Sequence, residues 1–117
     1  MKNYLAVFTG SAEGRADWNK LDPEARQKRE REGIAAWHQW MQDHAADIVE
    51  TGAPLGKTKR TTSQGIEDIS NNLSAFVTVR ADSQQAAAEM FRNHPHFTIF
   101  PGDGVEVMEC LPIPPRN

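Results

Sequence analysis

Cysteine is almost missing from this chain: Cys110 is the only one in 117 residues, so no internal disulfide can form, which fits a reducing compartment. Cys110 sits in an apolar run near the C-terminus and reads as a small buried hydrophobe rather than a nucleophile. No apolar tract is long enough to span a bilayer, and no membrane partner is expected. Met1 to Gly10 carries one Lys and a short apolar run but no extended hydrophobic region or small-residue cleavage site, so the expected location is cytoplasmic. Positive charge is not in excess. With a net charge of −3 and a pI near 5.8 the overall field does not attract a polyanion, and nucleic acid is not an expected partner. The one basic cluster, Lys57, Lys59 and Arg60, reads as a solvated loop.

Recurrent catalytic signatures are also lacking. There is no internal repeat, no low-complexity segment, no G-x-S-x-G nucleophile motif and no carboxylate pair held by spacing as general acid and base. The segment Gly52-Ala53-Pro54-Leu55-Gly56-Lys57-Thr58 resembles a phosphate-cradling loop, yet it has three residues between its glycines where that loop needs four, and no helix follows. Without a helix N-terminus the backbone amides do not converge on a phosphate, so this tract is a bent strand end.

What remains is an ordinary globular composition, 38% hydrophobic and 25% charged, at a length that suits one domain over residues 1–117 with a Pro-rich tail from Pro112. Asn3 to Thr9 reads as a strand with Tyr4, Ala6 and Phe8 on one face and Leu5 and Val7 on the other. A polar loop leads to Asp22-Pro23-Glu24, where Asp22 can cap a helix, Pro23 suits its first position and Glu24 complements its dipole. The charged opening, Glu24 to Glu32, is a solvated face or a short separate helix ended near Gly33. Beyond it Ile34, Trp37, Met41, Ala45 and Ile48 form an apolar stripe, with Trp40 and His44 on its flank. Ile48 to Leu55 and Leu73 to Ala81 are the next strands, separated by about twenty Gly-, Thr-, Ser- and Asn-rich residues that read as a hairpin extension or functional loop turning at Gly65. Asp82 or Ser83 caps a second helix through about Arg92, where Ala86, Ala87, Met90 and Phe91 supply the apolar side, Pro95 stops it, and Val105 to Leu111 closes the sheet.

The order β-α-β-β-α-β predicts an α+β, ferredoxin-like split βαβ fold, a four-stranded antiparallel sheet with both helices on one face. Apolar residues on both sides of the first and third strands leave the other face needing cover. A second copy's sheet is the economical cover, so a homodimer through the sheet face is expected.

Four candidate positions stand out by residue type. His94-Pro95-His96 sets two imidazoles beyond a helix end, where they can shuttle protons or bond a ligand carboxylate; the bland alternative is a helix-stop histidine bonded to carbonyls. Metal is not expected, since zinc needs a third and usually a fourth ligand and only His38 and His44 are left to supply imidazole. Trp40 and His44, at the edge of the stripe, suit the wall of a small-molecule cleft, whereas Trp37 and Met41 suit the core.

Taken together, the opening strand, Gly52-Ala53-Pro54-Leu55-Gly56, Asp68-Ile69-Ser70-Asn71, Ala81-Asp82-Ser83, His94-Pro95-His96-Phe97 and Gly104-Val105-Glu106-Val107 resemble a YCII-related (DGPF-type) domain across most of the chain. The Asp-Gly-Pro-Phe element itself is absent, and Gly65-Ile66-Glu67-Asp68 stands roughly in its place. The resemblance implies a dimeric α+β barrel with a cleft between sheet and helices, in a family with one branch acting on chlorinated aromatic breakdown products and many members accompanying extracytoplasmic-function sigma factors. It also implies that His94 and His96, with Ser70 and Asn71, are polar cleft residues. Two functions follow as expectations. One is a cofactor-free lyase, isomerase or dehydrochlorinase acting on a small polar or aromatic acid, with His94 or His96 moving the proton and Trp40 and His44 positioning substrate. The other is a non-catalytic ligand-binding or protein-interaction module, linked to sigma-factor regulation.

Overall fold

A computed structural model describes residues 1–116. In chain order the elements are β1 (Lys2–Gly10), α1 (Ala12–Asn19), α2 (Pro23–Asp43), β2 (Ile48–Pro54), β3 (Thr58–Thr62), β4 (Gly65–Ile69), β5 (Leu73–Ala81), α3 (Gln84–Glu89), α4 (Pro95–Thr98) and β6 (Gly102–Glu109). Four strands form one antiparallel sheet in the order β2-β5-β1-β6, which is the ferredoxin-like arrangement expected from the β-α-β-β-α-β order. The pairing of β1 with β5 and β6 puts Tyr4, Ala6 and Phe8 on the same face as Val79, Val77, Ala75, Val107 and Val105. On this face Tyr4, Ala6, Phe8, Ala75, Val77 and Val79 are buried, joined from the helical layer by Trp40, Ala87 and Phe91. The opposite face carries Leu5, Val7, Phe76, Thr78 and Met108, none of them buried.

The helical layer departs from the expected pattern in several places. Residues expected as a polar loop form α1, because Ser11 accepts a hydrogen bond from the Gly14 amide and Trp18 packs on Phe100 with ring centroids 5.8 Å apart. One helix, α2, runs unbroken through Gly33 rather than stopping there. A Cβ on Gly33 would lie 2.4 Å from the Phe100 ring, so this glycine is a contact point and not a terminator. Asp22 makes no capping side-chain bond, and Pro23 alone marks the helix start. The face of α2 toward the sheet passes through Trp37, Trp40, Met41 and His44, while Ile34 is 54% exposed and Ala45 is exposed. Trp40, expected on the flank, is thus buried.

Ser83 caps α3 by accepting from Ala86, but α3 ends at Glu89, earlier than expected. Asn93 turns the chain with φ of 57°, and Pro95 opens a new helix, α4, instead of only stopping the old one. The long insert is a hairpin, β3–β4, with Gly65 at φ of 129° directly after the turn. Cys110 is exposed just past β6, not buried. No helix among the described residues is long and apolar enough to cross a membrane.

Candidate functional site

The C-terminal end of β1 gathers the chemistry. Thr9 and Gly10 lie where β1 meets α1, β6 and the short helix α4, and a polar side chain from another element comes close to each. The Thr9 carbonyl accepts a hydrogen bond of 2.7 Å from Nε2 of His96 on α4. Beside Gly10 runs the Arg15 guanidinium of α1, one of whose nitrogens would stand 3.9 Å from a Cβ at that glycine. Arg15 has no ion-pair or hydrogen-bond partner among the described residues, and it lines a cavity of about 560 Å³ together with His96, Trp37, Trp40, Ile34 and His38. The far wall is the edge of the sheet, Thr51 to Pro54 on β2 and Ser74 to Val77 on β5. That wall bends because β2 slips register against β5 at Gly52, whose φ is 68° and whose Cβ would fall 1.7 Å from the Phe76 carbonyl oxygen. The cavity is overwhelmingly apolar with a few polar groups at one end, the usual build of a small-molecule site.

His96 is 6% exposed. Because a carbonyl can only accept, Nε2 carries the ring proton in the neutral imidazole and Nδ1 keeps its lone pair, which meets no donor among the described residues. Burial pulls the pKa of His96 below the ordinary value, partly opposed by the Thr9 carbonyl and by the negative charge of Asp103, so the ring is neutral at pH 7. Gly102 makes room for it: a Cβ there would lie 2.2 Å from the imidazole.

His94 has a different position. It is fully buried, with ring centroids 4.6 Å from Trp37, 4.8 Å from Trp40, 5.0 Å from Phe8 and 6.0 Å from Phe91. Nδ1 caps α4 by accepting from the His96 amide, and Nε2 has no hydrogen-bond partner. Desolvation, with smaller contributions from His96 and His44, pushes its pKa down to about 3. It does not line the cavity.

Trp40 serves both layers: its Nε1–H donates to the Met90 carbonyl at 2.9 Å, its ring stacks on Phe91, and it closes the cavity's inner wall. His44 lies on the outer side of Trp40, stacked at 4.5 Å, with Nδ1 donating to the Trp40 carbonyl as the last turn of α2 ends. His44 thus takes a helix-stop role rather than the expected place on the cleft wall, and it is not among the cavity's lining residues. Ser70 and Asn71 are elsewhere again, at the root of the β3–β4 hairpin, where Asn71 Oδ1 accepts from the Leu73 amide and Nδ2 donates to Thr58. The structure therefore joins His96 and Trp40 in one cavity and leaves His94 behind the wall, His44 outside it and Ser70 and Asn71 at another depression.

No family model and no curated protein matches the chain. A solved structure does. The fold is similar to that of 5-chloro-2-hydroxyhydroquinone dehydrochlorinase (TftG) from Burkholderia phenoliruptrix AC1100, in complex with 2,5-dihydroxybenzoquinone, with a TM-score of 0.52. Identity is 18%, and the match covers 91% of this chain and 90% of the other, so the likeness is one of fold.

Arg15, His38 and Gly102 carry no signal in the sequence, since none belongs to a motif and α1 has too little apolar pattern to announce itself. Among the described residues no three His, Cys, Asp or Glu side chains gather into a metal-binding cluster. In chemical terms the cavity has a mostly apolar lining that includes the Arg15 cation and the His96 imidazole, the imidazole held by the Thr9 carbonyl and the exposed cation lying beside Gly10.

Proposed function

We propose that this chain is a YCII-like, cofactor-free enzyme of the lyase type that acts on a small aromatic acid or phenol in the cavity beneath α2. One observation carries the proposal: His96 lines the cavity with its Nε2–H tied to the Thr9 carbonyl, which leaves Nδ1 free as a base. A depressed pKa suits that task, because the ring is already unprotonated at neutral pH. Arg15 faces the same space and stabilises the anion that forms when a phenol or acid loses its proton. In an elimination of this kind His96 takes the substrate proton, the released electron pair forms the new double bond, and the leaving group departs as an anion with its bonding pair. Chloride is the leaving group favoured by the fold neighbour, a dehydrochlorinase with a hydroxyquinone bound. His94 acts on this chemistry by holding the His96 amide, so its part is positioning. Trp37 and Trp40 stack the ring of the substrate.

The protein works as a cytoplasmic homodimer, its second copy covering the half-exposed Leu5, Val7, Phe76 and Met108. The test is direct. Titrating 2,5-dihydroxybenzoquinone while following tryptophan fluorescence should give saturable quenching, and chlorinated hydroxyhydroquinones should release chloride at a rate abolished by His96→Gln. Saturable binding with no chloride release from any of them would favour a ligand-binding module and remove the lyase reading.

A further inference from the structure

The cavity beneath α2 is larger than one aromatic ring requires. An apolar cavity of about 150 Å³ is enough to hold a benzene molecule, and this one has about 560 Å³. Its width says the same. The sheet order β2-β5-β1-β6 puts β2 two strand spacings from β1, about 10 Å, whereas His96 is tied to the β1 carbonyl of Thr9. A ring held against His96 and Arg15 therefore stops short of the wall formed by Thr51 to Pro54. That far half is built from small side chains. The register aligns Phe8, Ala75 and Pro54 in one row across the sheet, and the Phe8 ring lies 5.1 Å from that of His96. Leaving His96 along this row, the Phe8 ring is followed by the methyl group of Ala75 and then by Pro54, with Gly52 and Ala53 beside it on β2. Above the row α2 presents Ile34, His38 and Met41, which share one face at i, i+4 and i+7. The short helix α3 packs its backbone on β5 and β6, but the backbone of α2 packs mainly on α4, so this face is held off the sheet. The space is deep at Ala75, 8% exposed, and open at Ile34, 54% exposed. Protein interiors rarely leave room of this kind unfilled.

We propose, resting on the reading of this cavity as a substrate site, that the substrate is an aromatic acid or phenol bearing a second, apolar ring. The reacting ring stays with His96 and Arg15, and the second ring lies between Ile34 and Met41 of α2 and the row from Ala75 to Pro54. Ala75 sets this specificity. It stands between the two halves of the cavity, and a longer side chain there would block the passage from Phe8 to Pro54. The far half asks for no charge or hydrogen bond from its occupant, since the Ser74 hydroxyl already donates to the Phe8 carbonyl. Burying an apolar ring there adds affinity through area alone.

Calorimetric titration with 2,5-dihydroxybenzoquinone and with its 3-phenyl derivative, on wild type, Ala75→Leu and Ile34→Glu, tests this. The quantity read is the ratio of the two affinities, so a variant that weakens the whole cavity does not imitate the effect. Wild type should bind the phenyl derivative at least about tenfold tighter, and each variant should bring that ratio below about three. Ile34 is exposed on its helix, so its replacement keeps the test open if Ala75→Leu fails to fold. Equal affinities in wild type overturn the second ring while leaving the substrate site standing. A preference that either folded variant retains in full puts the phenyl group elsewhere and overturns the proposal too. If neither compound binds saturably, the substrate-site reading falls and the second ring with it.

Discussion

Nδ1 of His94 accepts the backbone N–H of His96 at 3.0 Å, which makes a sealed imidazole the cap of the short helix that carries an accessible one. Two histidines of one three-residue tract thereby take different places, one sealed in the core and one on the cavity wall. The inner one is surrounded by Phe8, Trp37, Trp40 and Phe91, whereas the outer one meets the cavity.

Acid should unfold this protein through His94. Its folded pKa, about 3, lies below the ordinary 6.5, so the unfolded chain binds the proton more readily and stability falls as pH drops from about 6.5 toward 3. Between pH 7 and pH 5 the expected loss is about 2 kcal/mol, and the lowered pKa of His96 acts in the same direction. Urea denaturation at the two pH values measures it. His94→Asn keeps an acceptor for the His96 amide but cannot titrate, so its stability should depend on pH much less steeply.

His96→Gln should leave the fold in place and remove turnover, because an amide has no basic lone pair to take a proton. Thermal unfolding and chloride release, measured on the same preparation, separate the two effects. If turnover persists within a factor of about two, His96 is not the base.

At Gly102 a single methyl group has a large consequence. Gly102→Ala puts its Cβ 2.2 Å from the His96 ring, and the ring must move off the Thr9 carbonyl or the strand must shift. We expect a loss of about 1–3 kcal/mol in stability together with weaker binding of 2,5-dihydroxybenzoquinone. Calorimetry and fluorescence titration follow both.

Arg15 predicts the opposite combination. Being exposed and unpaired, it contributes little to folding, so Arg15→Gln should leave the melting temperature within a degree or two of wild type. Affinity for the hydroxyquinone anion should fall by about tenfold, with a neutral analogue such as benzoquinone little affected.

For Trp40→Phe the expectation is a stability loss of about 1–2 kcal/mol, since the Met90 carbonyl loses its indole donor in a partly buried place. Denaturant unfolding reads this, and a neutral outcome would mean that the indole bond is not important to the core.

Alternation of Tyr4, Ala6 and Phe8 and of Ala75, Val77 and Val79 was enough to define the two central strands, because a period of two with one buried face admits one register. Strand order followed from the handedness of the crossovers, and the Ser83 cap was visible in its residue type. Helix α1 escaped notice because it buries no residue and its contacts, Trp18 on Phe100 and Gly14 against Pro101, come from the far end of the chain, and Gly33 looked like a stop because its partner, Phe100, is 67 residues away in the chain. Local sequence cannot express such pairs.

The chain by itself thus determined a ferredoxin-like sheet, a long insert turning at Gly65 and the presence of a His-Pro-His tract, whereas the pairing of that insert into a hairpin came from the structure. Only the tertiary structure decided which histidine meets the cavity, that Arg15 joins it across Gly10, and that Ser70 and Asn71 do not. The physical reason is that burial and hydrogen-bond partners come from distant segments. The left-handed Asn93 and the extended His94 before α4 set one imidazole deep among aromatic rings and leave the other at the cavity with its Nε2–H on the Thr9 carbonyl.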